Sequence, residues 1–559
     1  MPPAPSHFTT TDWLVLLAYL ALLVGTGIAF TRRQSGSADY FLAGRRMPVW
    51  AVAISILATS LSAATFIGVP QSGFTGNLTY LATNIGMVLA ILIVAFWFVP
   101  AFYANNCTSI YQLLERRFGM TGRRAAGVAY LFGRLLASSS RIYIGAIPAA
   151  VVLFGEDASR DPAALSVAIA IFCIIGIGYT LLGGIGAVIW TDVIQTIVFV
   201  VAAAAAILLI LNHIPGGAPA AVDALAHDGK LTVLDTTASL ERPYTIYACV
   251  LAFTLMGLAS YGTDQDMVQR MLTCRNALAG GRSAILGIAI AVPTILLFLT
   301  IGMLLYVFYR RPDIMGDTAP AYQIDETGKV FVTFILREMP AGLSGLMIAG
   351  LVAAGLSSVN SSLNSMANTV VTDFYQPLRP GKPDRHYLVA GRACVIGWGV
   401  LMTGAACACV YWEEHTRQVR ETLGLNPSGF TLLDFALSVM TFAYAGLLAM
   451  FLSAIFTRRG NAISAIAALA IGFLVVLAMQ PAIWRWWTGL NPAWAATPDI
   501  DDGFRLGEHP PAWPWHLVAG LIAAFTTCQL GAPSNRTRSA SEGPAPGQPE
   551  RPDRDEVTP

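Results

Sequence analysis

Charge is what this sequence has least of. Asp, Glu, Lys and Arg make up 12% of its 559 residues, where a soluble domain carries about a quarter. Lysine is nearly missing, with three among 34 basic residues, and the net charge is +1. With no basic face, the chain offers nothing to nucleic acid. The eight cysteines are scattered. Cys407 and Cys409, two apart on an apolar segment, form neither a zinc spacing nor a disulfide framework. All seven histidines fall in loops or at the ends of apolar segments, which argues against a metal or haem centre inside them. Ser–His, Cys–His and metal-ligand constellations are likewise missing from those segments, so an enzyme reading has no chemistry to stand on. Nothing in the sequence calls for an obligate protein partner.

What the chain has is apolar length. Apolar residues make up 55% of it, and the mean hydropathy is +0.60. Runs of roughly 20 apolar residues, the length that spans a bilayer, number about 13. They lie at 12–30, 48–71, 79–103, 125–154, 164–182, 186–211, 245–266, 283–308, 342–371, 387–411, 432–456, 462–481 and 515–531. The expected architecture is one polytopic all-α membrane domain over residues 1–531. Residues 532–559, rich in Pro, Ser, Arg and Glu, are expected to be a disordered cytoplasmic tail.

Topology follows from where the arginines stand. No basic residue precedes the first span, and Arg32 and Arg33 follow it, the reverse of a secretory signal. With the N-terminus outside, alternate loops should collect positive charge. They do, in Arg45 and Arg46, Arg116 to Arg124, Arg270 to Arg282, Arg379 to Arg385, and Arg458 with Arg459. The C-terminus then lies in the cytoplasm. The arginine bias suggests a GC-rich bacterial genome and hence a bacterial cytoplasmic membrane.

Two spans look broken. WAVAISILATSLSAATFIGVPQ carries Thr59, Ser60, Ser62 and Thr65 at its middle, with Gly68 and Pro70 beyond. IYACVLAFTLMGLASYGTDQ is interrupted at Gly257, Ser260 and Gly262. They are the second and seventh spans, five helices apart. Weakened helices at matching positions of two five-helix halves point to an inverted-repeat transporter with its site at the membrane midplane. Each break taken alone reads as a packing kink.

A third span is too polar for its solvent. LVAAGLSSVNSSLNS (351–365) puts five serines and two asparagines in nine residues. Ala354, Ser358, Ser361 and Ser365 share one helical face, with Ser357 beside them and Asn360 and Asn364 on its flank. Close helix packing accounts for two or three serines, here Ser362 and Ser365. The remainder suits neutral oxygen ligation of Na⁺, which must also leave again. Asn364 has no assignment from the sequence. Asp192 and Arg141 are the buried-charge candidates, since an acid at a helix centre costs about 2.5–3.5 kcal/mol to insert. Arg134 reads as an interfacial side chain.

DYFLAGR (39–45), SIYQLLERRFG (109–119), GGIGAVIWTDVIQ (183–195), TDQDMVQRMLTCR (263–275) and SSVNSSLNS (357–365), in that order, resemble the sodium:solute symporter family. The resemblance implies a LeuT-type 5+5 inverted-repeat core over about 48–456. The extra helices are then 12–30, 462–481 and 515–531. It implies Na⁺ as coupling ion, one or two per cycle. The family's common sodium site falls on Ala58, Leu61, Ala354, Ser357 and Ser358. A second site found in some members falls on Asp192, Ser357, Asn360 and Ser361, with Asn360 a departure from the expected serine or aspartate. Asp264 and Arg270 stand where gate contacts are expected.

In the sugar-transporting branch a Glu–Gln pair stands where this chain has Ala64 and Thr65. ATSLSAATFIGVP (58–70) is closer to the bacterial sialic acid transporters. That likeness places solute contacts at Ser60, Ser62, Thr65, Tyr80, Asn84 and Arg141, the guanidinium suiting a carboxylate. The expected function is Na⁺-coupled symport, by alternating access, of sialic acid or another carboxylate or sugar-like solute. A neutral-sugar symporter remains the alternative, and a transporter-like membrane sensor lies behind it.

Overall fold

In the computed structural model, residues 8–31, 37–155, 158, 161–320, 322, 330–422, 432–480, 483–484 and 511–532 are described. Helix covers each of the thirteen ranges expected from the sequence. The tail at 533–559, Arg32, Arg33 and the acidic run at 499–502 lie outside the described residues. Among the described residues, seven helices are singly long and apolar enough to cross a bilayer, and a bent pair makes an eighth. The chain is an all-α, multi-pass membrane protein with a LeuT-type core.

The helices that position the site are α1 (Thr10–Thr31), α2 (Val49–Ser60), α3 (Ala63–Thr75), α4 (Leu78–Ala104) and α5 (Gln112–Phe154). Next come α6 (162–183), α7 (Gly184–His213), α8 (Phe253–Gly262), α9 (Gln265–Leu272) and α10 (Ala277–Arg310). The last five are α11 (Leu343–Thr369), α12 (Asp384–Thr422), α13 (Leu432–Phe456), α14 (Ala462–Ala478) and α15 (Trp513–Gln529). Between α6 and α7 the chain is one helical run turned at Gly184, whose φ of 56° favours glycine.

The second span breaks as expected. Leu61 and Ser62 are extended, at φ −87° and −118°, and α2 and α3 meet at 65°. The seventh span corrects the sequence reading, because α8 runs unbroken through Gly257 and Ser260. The break comes at Thr263 and Asp264, where the Asp264 side chain accepts the amide of Asp266 at 3.0 Å and starts α9. Gly257 serves packing instead: a Cβ there would stand 2.5 Å from that of Ala90.

Helix α11 runs through the middle of the protein, and every residue from Ala353 to Thr369 is buried. Its first turn is capped from another helix. Asp12 of α1 accepts the amides of Gly342 at 2.7 Å and Gly345 at 2.8 Å, and the Ser344 hydroxyl at 2.8 Å. A carboxylate there satisfies amides that a helix start leaves without partners. The first helix of the chain thus fixes one end of the polar helix.

Candidate functional site

Breaking a helix frees backbone carbonyls, and the break between α2 and α3 frees two expected sodium ligands. The Ser62 amide, which would continue the ladder to Ala58, meets Thr65 Oγ1 at 3.3 Å instead. The amides of Thr65 and Phe66 both turn to the Ser62 carbonyl, at 2.9 and 3.0 Å. The carbonyls of Ala58 and Leu61 are thereby left off the helical ladder. Gly145 of α5 lets this break approach α11. A Cβ on it would lie 3.0 Å from the Ala63 Cβ and 4.0 Å from the Gly355 Cα, next to Ala354.

The hydroxyls expected at the same site, Ser357 and Ser358, stand on α11. Ser358 Oγ lies 3.3 Å from the Ala354 carbonyl, and Ser357 Oγ donates to Asp192 Oδ1 at 2.6 Å. A hydroxyl whose proton points elsewhere keeps only lone pairs to offer, which is what a cation needs. The residues expected at the common site fit a sodium ion in their chemistry.

The second expected set is organised otherwise. Asp192 Oδ2 accepts Ser55 Oγ at 2.5 Å and faces Arg270 Nη2 at 3.3 Å. Arg270 also binds the Ser361 hydroxyl, Ser55 Oγ at 2.8 Å, and the Asp266 carboxylate at 2.8 Å. The Ser361 hydroxyl donates to the Ser357 carbonyl at 2.6 Å. Asn360 receives the Thr180 hydroxyl on Oδ1 at 2.8 Å, toward α6. A fully buried guanidinium thus holds both Asp192 and Ser361.

Further corrections follow from complete burial of the α11 stretch. Arg134 is not interfacial. It reaches Ser362 Oγ at 2.9 Å, Asp264 at 3.1 Å, and Asp266. Ser362 and Ser365 are more than packing residues, since they also meet Ser138 Oγ at 2.7 Å and Tyr130 OH at 2.7 Å. Asn364 receives the Gln269 amide at 2.8 Å. Asp264 binds Arg134 and Tyr444, and Arg270 binds Asp192 and Asp266, so the two expected gate residues do not pair with each other. Sequence reasoning missed Ser55, Asp266 and the role of Arg134. The spacing of Arg134 and Arg141, seven residues and two helical turns apart, was the available signal.

All six expected solute contacts line one cavity. Ser60, Ser62 and Thr65 come from the break and the start of α3, Tyr80 and Asn84 from α4, and Arg141 from α5. The cavity also holds Thr83 and Tyr261, which the sequence did not single out, and Ser260, which it marked only as an interruption. Arg141 is buried, its Nη2 lies 3.2 Å from Met440 Sδ, and its Nη1 has no hydrogen-bond partner among the described residues. A buried cation without a carboxylate is costly, and an incoming anion would relieve it.

A loop lysine holds the far end of α3. Lys230 Nζ donates to the carbonyls of Phe74 at 2.8 Å and Gly76 at 2.7 Å, and stands 3.9 Å over the Tyr306 ring. Burial pushes its ammonium down to about 8 from 10.5, against the opposing pull of Asp228, which is itself paired with Arg311. Below pH 8 the folded protein bears the cost of a buried cation. From about pH 8 to 10.5 it sheds the proton while the unfolded chain keeps it, so this group makes stability rise with pH in that window. The melting temperature of the wild type minus that of Lys230→Met is therefore expected to increase between pH 8 and 10. A difference that stays flat or falls contradicts the assignment.

Residues 40–472 match the sequence profile of the sodium:solute symporter family. The sodium/sialic acid symporter NanT of Aliivibrio fischeri is 29% identical over 477 residues, covering 85% of this chain and 88% of that one. SiaT of Proteus mirabilis, also a sodium/sialic acid symporter, is 29% identical over 478 residues, covering 85% and 90%. A solved Na⁺-coupled sialic acid symporter, substrate-bound and outward-open, superposes with a TM-score of 0.74 at 26% identity, over 95% of this chain and 98% of that one. The broken second span, the oxygen-lined polar helix and the profile match lead to one conclusion: this chain belongs to the sodium:solute symporter family.

Proposed function

We propose that the protein imports a small organic anion with Na⁺ across a bacterial cytoplasmic membrane, N-terminus outside and C-terminus inside, by alternating access. The single observation that carries the anion reading is Arg141, a buried guanidinium with an unpartnered Nη1 in the cavity beside the broken helix. The sialic acids of NanT and SiaT belong to the same broad class of carboxylates.

Sodium is taken up at the carbonyls of Ala58, Leu61 and Ala354 and the hydroxyls of Ser357 and Ser358. Those ligands come from α2 and α11, so an ion bound to both favours the state that keeps them together. Separating the helices weakens the site and releases its cargo inward. We take one coupling ion, because Arg270 already supplies the positive charge facing Asp192. The buried pair formed by Asp264 and Arg134 stays closed until that separation.

Ser358→Ala removes one of five oxygen ligands while leaving a buried helix of unchanged shape. A hydrogen-bond-like contact to a charge is worth about 1.5–3 kcal/mol, so half-saturating Na⁺ for solute binding should rise at least about tenfold. An unchanged Na⁺ requirement in the folded variant defeats the site. For the solute class, thermal-shift measurements with sialic acid, monocarboxylates, neutral sugars and amino acids, with and without Na⁺, decide. Selective stabilisation by neutral sugars rules out the role of Arg141.

A further inference from the structure

The cavity lining has two unlike parts. One carries Arg141 and the polar groups of α3, α4 and α8. Much of that polarity is spent inside the protein: Ser60 Oγ donates to the Leu57 carbonyl at 2.8 Å, Thr83 Oγ1 to Tyr80 at 2.7 Å, and Asn84 Nδ2 to Leu81 at 2.9 Å. The other is built from Ile288, Ala291 and Ile295 of α10 and Leu433, Ala436 and Leu437 of α13. Those side chains hold no polar atom. Four methionines, Met87, Met256, Met267 and Met440, complete the lining. Thioether side chains adapt to apolar shapes and to aromatic rings.

A polyhydroxylated solute carries a donor on nearly every carbon, and each hydroxyl laid against the aliphatic wall loses its water without gaining a partner. A solute with a carboxylate at one end and an apolar body meets no such penalty. We infer that the cavity selects an amphipathic carboxylate, its anionic end on Arg141 and an aromatic or branched aliphatic body against α10 and α13. The inference rests on the reading of Arg141 as a carboxylate anchor and narrows it.

The test is Na⁺-dependent binding to the purified full chain, by calorimetry, of four probes. They are 3-phenylpropionate, glucuronate, N-acetylneuraminate and the neutral amide 3-phenylpropionamide. The expected result is that 3-phenylpropionate binds at least tenfold tighter than either hydroxylated acid and at least a hundredfold tighter than its amide. Equal or tighter binding of either hydroxylated acid overturns the amphipathic selectivity and leaves the carboxylate anchor standing. Equal binding of the amide overturns the anchor itself. No binding of 3-phenylpropionate also overturns the selectivity. In Leu437→Gln the preference for 3-phenylpropionate over glucuronate falls at least threefold, and an unchanged ratio shows that the apolar body does not rest on that wall.

Discussion

Arg270→Met loses about 3–5 kcal/mol of folding stability, the cost of removing one member of a buried ion pair. Arg270 is fully buried and holds two equally buried carboxylates, Asp192 at 3.3 Å and Asp266 at 2.8 Å. Methionine fills much of the same volume but leaves Asp192 without its cation and Asp266 with Arg134 alone. The loss is electrostatic rather than steric, so adding Asp192→Asn should recover part of it, with a coupling of about 0.5–3 kcal/mol between the two sites. Unfolding in detergent reads both effects. A loss below about 1 kcal/mol in the single variant means that Asp192 is neutral or otherwise paired.

Arg141→Gln has the opposite profile. Its guanidinium touches Met440 and no carboxylate, so replacing it relieves an unpaired buried cation and leaves the fold intact. What it removes is the partner of the solute's anion. Truncating one member of a buried charged pair costs about 2–5 kcal/mol, or about 30-fold to several thousand-fold in solute affinity. Arg141→Lys restores only part, because a point charge lacks the paired, planar donors of a guanidinium. Calorimetry in saturating Na⁺ measures this directly, and wild-type affinity in Arg141→Gln removes the anchor from the account. Two arginines in buried surroundings thus have opposite expected signatures: one affects stability, the other binding.

That contrast also marks how far the sequence could be read. The thirteen helical ranges were legible, because apolar length is a property of each segment by itself. The break near Ser60 and Ser62 was legible for the same local reason, since hydroxyls, Gly68 and Pro70 weaken one helix. The six cavity residues were reached through resemblance, and the structure brings them together. What failed depended on partners distant in sequence. Gly257 looked like a break but is a close-packing position against Ala90, whereas the break itself follows Gly262, at Thr263 and Asp264. Arg134 looked interfacial until Asp264, Asp266 and Ser362 were placed around it. Thr180 of α6 on the Asn360 amide oxygen is a partner that no local pattern announced.

The serines of α11 show both sides of this. Their number announced a polar task inside an apolar helix, and their burial means that every hydroxyl must be satisfied by protein or by cargo. Ser361, Ser362 and Ser365 are satisfied by Arg270, Arg134 and Tyr130. Ser357 and Ser358 donate to Asp192 and to the Ala354 carbonyl, which leaves their oxygens lone pairs to offer.

The most direct test of the central claim is solute uptake into proteoliposomes of the full chain under an inward Na⁺ gradient. The account predicts accumulation above equilibrium with Na⁺ outside, collapse to equilibration when K⁺ replaces it, and a shifted Na⁺ dependence in Ser358→Ala. Equal accumulation in K⁺ would contradict it.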